Sequence, residues 1–457
     1  MNKKYITNDE ASEIITQLGV EFAVVNNPEN IFPAFEIYPL APKITTKQKL
    51  ISAVLLNMEG IFISTENLHL HSLEYMVRQF SGRFEKNQWH GLDKIIDYPG
   101  LLGDTGTNPV EFLVQRYHNY IRPEFFVEAF MHSILWILIL GHDESWKKKV
   151  YTELARLGYS EILNDPKLAE YIALKEFNKY NANVITNYFI HKYNPVINIQ
   201  NFAQTVSAAR FIYNRRYQEI LEVIKLGEGA NLAEETFDSK DISFIKPNPG
   251  AALFIALCRG WLGEDIKFLF DDLGDSLKSI NSIGYLISDK DAALNRLLKL
   301  SVRFESHPLK TALVSSQNHY STSILISESL NLLSAEVRKW KLPEERKSAI
   351  IEKFSHFADV FDTIINKNDI SSIRKKPHPD AYSIAITRLG FDRNRFSEVI
   401  GIENSENGII SLRSSGIGLS LAFPPPKSQS LSFAHSVHIL QGGFPELILN
   451  HDCFISL

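Results

Sequence analysis

The feature that most limits the fold of this chain is a split pattern. From about residue 244 onward, short apolar runs alternate with segments of helical period: "TALVSS" then "STSILISESLNLL", "VFDTII" then "PDAYSIAITRLGF", "EVIGIEN" then "NGIISLRSSG". Strands joined through a helix return parallel to one another, so this repetition specifies a parallel sheet with helices on both faces. One more run of the same character, "LISAVLLNMEG", stands alone near residue 55, on the far side of a long helical block. The economical arrangement is an α/β fold, a Rossmann-like three-layer core, with its first strand near residue 55 and the rest resuming near 245. A large all-helical domain is then inserted after that first strand.

The expected divisions are an N-terminal extension at 1–45, a core of 46–65 with 244–457, and a helical insert at 66–243. In the insert, "VEFLVQRYHNYI", "WKKKVYTELARLGY" and "AARFIYNRRYQEILEVIKLG" repeat apolar positions at three and four, which predicts about eight helices. The segment "FFVEAFMHSILWILILGH" has the look of a membrane span. Glu128 and His132 interrupt it, and Ile134 to Leu140 is far short of the ~20 apolar residues a bilayer needs, so it reads as a buried helix.

A net charge of -5 with no long block of one sign gives no reason to expect nucleic acid or an anionic membrane as partner. A small molecule or a protein is the expected partner. Cys258 and Cys453 lie far apart without metal-ligand spacing, and no apolar stretch follows the basic residues of "MNKKYITNDE". A reduced, cytoplasmic setting is therefore expected.

In an open parallel sheet, ligands bind beyond the carboxyl ends of the strands. The strand near 55 delivers Asn57, Glu59 and Gly60 there, and "KTALVSSQN" delivers Ser315, Ser316 and Gln317. "RKKPHPDAY" adds Arg374, Lys375 and Lys376 ahead of a helix, and "EVIGIENSENG" adds Glu403, Asn404 and Ser405. Hydroxyl, ammonium and carboxyl groups together are what holding a phosphate beside a hard cation requires.

The order of these segments resembles the haloacid dehalogenase superfamily, in the branch that includes β-phosphoglucomutase and phosphoglycolate phosphatase. "AVLLNMEGIFISTENL" is similar to that branch's first motif, in which a strand ends in Asp-x-Asp-Gly-Thr, and "KPNPGAALFIALCR" to its Pro-Gly helix start. "LKTALVSSQN", "KKPHPDAYSIAITRLGF" and "EVIGIENSENGIISLRSSGI" resemble motifs two, three and four. The resemblance implies a nucleophile at position 57, a general acid/base at 59 and phosphate-binding groups at Ser315, Ser316 and Lys376, with Lys375 as an off-by-one alternative. It also implies Mg2+ held by Glu403, Asn404 and Asn57.

The departures fall on those positions. Asn57 stands for the nucleophilic Asp, Glu59 for the acid/base Asp, Ile61 for the Thr, and Asn404 for an Asp of motif four. A neutral amide is not a competent phosphoryl acceptor, and two formal charges leave the metal site, so Mg2+ binding is expected to be weakened or lost. The first expectation is a pseudo-phosphatase that binds a phosphorylated metabolite or a protein. The second is an active Mg-dependent phosphatase or phosphomutase on a sugar phosphate or phosphoglycolate, and the third is an interaction protein acting through its helical domain.

Three other stretches compete for attention. "IKFLFDDLGDSL" is a rival first motif, although Leu273 stands where its second acid belongs. Asp104, Thr105 and Thr107 could form a specificity loop, but capping of a helix by Thr107 or Asn108 ahead of Pro109 is the expected reading. Arg210, Arg215 and Arg216 could bind an anion, but their offsets of five and six do not share a helical face, so scattered solvated arginines are the expected reading.

Overall fold

The lone run near residue 55 forms a strand at the middle of a sheet. The computed structural model describes residues 5–27, 31–45, 50–85, 87–102, 108–178, 180–280, 289–371, 374–425 and 433–450. Its strands are β1 (Phe22–Asn26), β2 (Phe35–Pro39), β3 (Ala53–Asn57), β4 (Ile63–Ser64), β5 (Lys246–Pro247), β6 (Lys310–Val314), β7 (Thr363–Ile365), β8 (Val399–Glu403), β9 (Leu419–Ala422) and β10 (His438–Ile439). Six of them make one sheet in the order β10-β9-β8-β3-β6-β7, every pair parallel.

Every residue of β3 is buried, which is why its sequence runs apolar without alternation: both faces are covered. Val54, Leu55 and Leu56 are wholly removed from solvent, each contributing about 1.5–3 kcal/mol of apolar burial. One face packs Ala53 and Leu55 with Tyr382, Ile386 and Leu412 of the helices Asp380–Arg388 and Glu406–Ser414. Register pairs Asn57 with Val314 and Leu56 with Ile402, so the strands stop at one level and present their next residues together.

The chain divides into two compact units, 1–64 with 246–457, and Thr65–Ile245. In the first, the N-terminal segment carries the helix Asn8–Leu18 and the antiparallel β1-β2 pair. The guanidinium of Arg413, 1% exposed, donates to Ala41 O at 2.6 and 3.0 Å and pairs with Glu21. "IKFLFDDLGDSL" is helical throughout, in a 3-10 turn Gly263–Leu269 followed by the helix Phe270–Ile280. Asp271 and Asp272 therefore open a helix, and the rival first motif falls.

The second unit holds nine α-helices among its described residues, against about eight expected; the shortest is Tyr98–Leu102. Pro123–Ile139 is the buried helix foreseen at 125–142, and no described helix is long and apolar enough to cross a membrane. Asn108 caps Pro109–Arg116 by accepting from Val110 N at 3.0 Å; Asp104, Thr105 and Thr107 lie outside the described residues, as does Cys453. One expectation needs correction. Arg210 is exposed, but Arg215 and Arg216 are largely buried and paired with Glu219, because the helix Phe202–Lys225 is covered around most of its girth.

Candidate functional site

Beyond Asn57 the ladder continues one residue, with Met58 N donating to Val314 O at 2.8 Å, and the chain then turns back. Gly60 N closes the turn on Ile63 O at 2.7 Å, while Asn248 Nδ2 donates to Gly60 O and Ile61 O, both at 2.8 Å. Gly60 has φ +84°, and a Cβ there would stand 2.0 Å from Asn404 Nδ2. Only glycine fits both the dihedral and the space.

The turn aims Asn57 at the sheet's carboxyl edge. Its Oδ1 accepts from Lys376 Nζ at 2.9 Å, and its Nδ2 donates to Asn404 Oδ1 at 2.9 Å and to Glu59 O at 2.5 Å. Because an ammonium can only donate, it fixes which end of the amide is oxygen. Lys376 also meets Glu403 Oε1 at 2.5 Å and lies over the Tyr382 ring, 5.0 Å from its centroid. Of the two adjacent lysines, Lys376 is the one in this cluster, and Lys375 is exposed.

Glu403 ends β8 with 0% exposure. Its Oε1 also accepts from Tyr382 OH at 2.5 Å, and its Oε2 from Asn404 N at 3.0 Å. Burial, reinforced by the Glu403 carboxylate, pushes the Tyr382 hydroxyl far above its ordinary pKa, so it stays a donor. The helix Glu406–Ser414 starts so close that a Cβ on Gly408 would lie 2.0 Å from the Glu403 carboxyl carbon. Ser405 caps that helix by accepting from Gly408 N at 3.1 Å.

On the other side of Asn57, the carboxyl of Glu59 reaches β6. Ser315 Oγ donates to its Oε1 at 2.6 Å and Ser316 N to its Oε2 at 3.3 Å. Thr322 Oγ1 donates to Ser315 Oγ at 3.2 Å. Part of the Glu59 residue reaches solvent, but its carboxyl is hemmed in by protein. That desolvation pushes its pKa up, against the opposing pull of Ser315 and Lys376.

All seven expected site residues therefore meet at one sheet edge. What residue types alone did not reveal is that they satisfy one another. The two groups implied for phosphate, the Ser315 hydroxyl and the Ser316 amide, both donate to Glu59, and the lysine implied for phosphate lies between Asn57 and Glu403. Three contributors escaped the sequence reading: Tyr382, Thr322 and Asn248. Tyr382 sits six residues after Lys376, inside the first turn of the next helix, and that spacing is the only signal that would have flagged it.

The raised pKa of Glu59 gives a signed pH dependence. Below its ordinary value of 4.5 the carboxyl is protonated in both folded and unfolded chains. As pH rises past that value the unfolded chain ionises first, so stability falls until the raised folded value is passed. Glu59→Gln is expected to remove a slope of up to about 1.4 kcal/mol per pH unit. Urea melts across that window read the difference; equal slopes in wild type and variant would refute it.

No family model matches the chain, and no curated protein does. Solved structures do. The chain is similar to CbbY from Rhodobacter sphaeroides in complex with phosphate, at 14% identity over 88% of this chain and 100% of that one, TM-score 0.37. It is also similar to a HAD-superfamily hydrolase of subfamily IA, variant 1, from Geobacter sulfurreducens, at 10% identity over 89% and 98%, TM-score 0.32. A HAD hydrolase of family IA, variant 3, from Entamoeba histolytica is similar at 15% identity over 88% and 100%, TM-score 0.29. The Geobacter and Entamoeba proteins are described as HAD hydrolases.

Proposed function

We propose that this chain is a pseudo-phosphatase: a haloacid-dehalogenase-like protein that binds a phosphorylated small molecule or a protein partner in the cytoplasm and does not turn a substrate over. One observation carries the reading. The nucleophile position is a neutral amide, Asn57, held at its oxygen by Lys376 and at its nitrogen by Asn404. Phosphate-monoester hydrolysis needs acceleration by up to ~10²¹, and an amide offers no oxyanion to begin it.

The donor set also fits a divalent cation poorly. Glu403 is the one carboxylate among Asn57, Glu403 and Asn404, and each of its oxygens already accepts hydrogen bonds, with the Lys376 ammonium standing between it and Asn57. Among the described residues no group of three or more His, Cys, Asp or Glu could hold a metal ion. Magnesium is thus expected to leave the melting temperature unchanged. A metal-dependent rise in thermal-shift measurements would count against the reading.

A second reading, an active Mg-dependent phosphatase or phosphomutase, draws on Glu59: burial raises the pKa of its carboxyl, the direction in which a leaving-group acid is tuned. Phosphate release from sugar phosphates and phosphoglycolate separates the two. The expected result is no release above buffer. Release that disappears in Lys376→Ala would establish the second reading. A phosphorylated ligand shares Ser315 and Ser316 with Glu59, so stabilisation by glucose 1-phosphate should grow in Glu59→Ala and vanish in Ser315→Ala. No stabilisation in either Glu59→Ala or wild type would leave the protein-partner form of the proposal.

A further inference from the structure

The helical unit has a cavity of about 1060 Å³ that the site above does not use. Its volume is at the upper end of small-molecule pockets. Trp136 and Ile139 of the helix Pro123–Ile139, with Ile172 and Phe177, give it apolar walls.

The polar groups lie at one end. Arg215 gives Nε to Glu219 at 3.0 Å and Nη1 to Tyr75 OH at 2.7 Å, while its Nη2 pairs with the same Glu219 oxygen. Arg216 gives Nε and Nη2 to His71 Nε2 at 3.2 and 3.1 Å, and Nη1 to Glu219 Oε2 at 3.5 Å. Burial pushes the His71 pKa down to about 3, so that imidazole is neutral. Two largely buried guanidiniums therefore share one carboxylate, and each commits three of its five N–H groups to protein, leaving two. His132, which also lines the cavity, has its Nδ1 buried without a hydrogen-bond partner. Toward the rim Glu144 pairs with Lys147 at 2.8 Å, Glu222 meets the His142 imidazole at 2.9 Å, and Lys175 adds a further cation to the lining.

An excess positive charge held away from water costs free energy unless an anion meets it. We propose that this cavity is a binding site for a small monoanionic molecule with an apolar body, such as an aryl or alkyl carboxylic acid. Its carboxylate would lie on Arg215 and Arg216 and its apolar part along Trp136, Ile139 and Phe177. The site is independent of the sheet-edge cluster and of the pseudo-phosphatase reading.

The test uses the full chain and calorimetry near neutral pH, with hexanoate, benzoate, 4-phenylbutanoate and indole-3-acetate as probes beside their primary amides. At least one acid is expected to bind with Kd below about 1 mM, and its amide about tenfold more weakly or worse. Arg216→Gln should weaken the acid about tenfold and leave the amide unmoved. If that variant does not fold, Ile172→Trp carries the test: the position is 41% exposed, and the indole should block both acid and amide. No acid binding, equal affinity for acid and amide, or binding indifferent to both substitutions would overturn the proposal.

Discussion

Replacing Lys376 by methionine should lower the stability of the chain by about 3–5 kcal/mol, the cost of leaving a buried carboxylate without its cation. Glu403 is 0% exposed and keeps Tyr382 OH and Asn404 N as donors, but these are neutral. The loss should appear as a fall in the denaturant midpoint. Adding Glu403→Gln in the same chain should restore much of it, because the amide needs no counter-charge. A single variant as stable as wild type would mean that Lys376 holds nothing in place.

The largest gain is expected from restoring the motif acids. Asn57→Asp with Glu59→Asp and Asn404→Asp returns a nucleophile, shortens the arm that occupies Ser315 and Ser316, and gives the cluster two more carboxylates. Removing a nucleophile costs about 10⁶ in turnover in a serine protease, so the triple variant should release phosphate at least ~10³-fold faster than wild type. That activity should require magnesium and should fall when Lys376→Ala is added. Shortening Glu59 matters separately: the double variant that keeps Glu59 should gain less, since its carboxyl still bonds Ser315 Oγ. A triple variant that neither releases phosphate nor is stabilised by magnesium would show that the decay of this site extends beyond those three side chains.

β3, β6 and β8 could be read from sequence because nearly all of their residues are buried on both faces, so that they appear as largely apolar runs within the segments that periodicity picked out. The site residues could be read for a related reason, since a parallel sheet delivers the residues after each strand to one edge. The sequence was silent on who bonds whom. Glu59 is one methylene longer than the aspartate it replaces, and only three-dimensional placement shows that this length carries its carboxyl to Ser315. Arg215 and Arg216 failed for another cause. Offsets along one helix say nothing about Tyr75 and His71, which come from a segment some 140 residues earlier.

The pairing of β4 with β5 has a bearing on how such a chain can vary. Ile63 faces Pro247 and Ser64 faces Lys246, so the residues that leave the sheet unit and those that return to it are neighbours in a hydrogen-bonded ribbon. Whatever lies between them is a loop whose ends are already fixed together. The entropy of closing such a loop grows only with the logarithm of its length, about 0.6 kcal/mol for each doubling. A helical unit of any size can thus be lengthened, shortened or exchanged at this junction with little thermodynamic effect on the sheet, whose order was set before the insertion is counted.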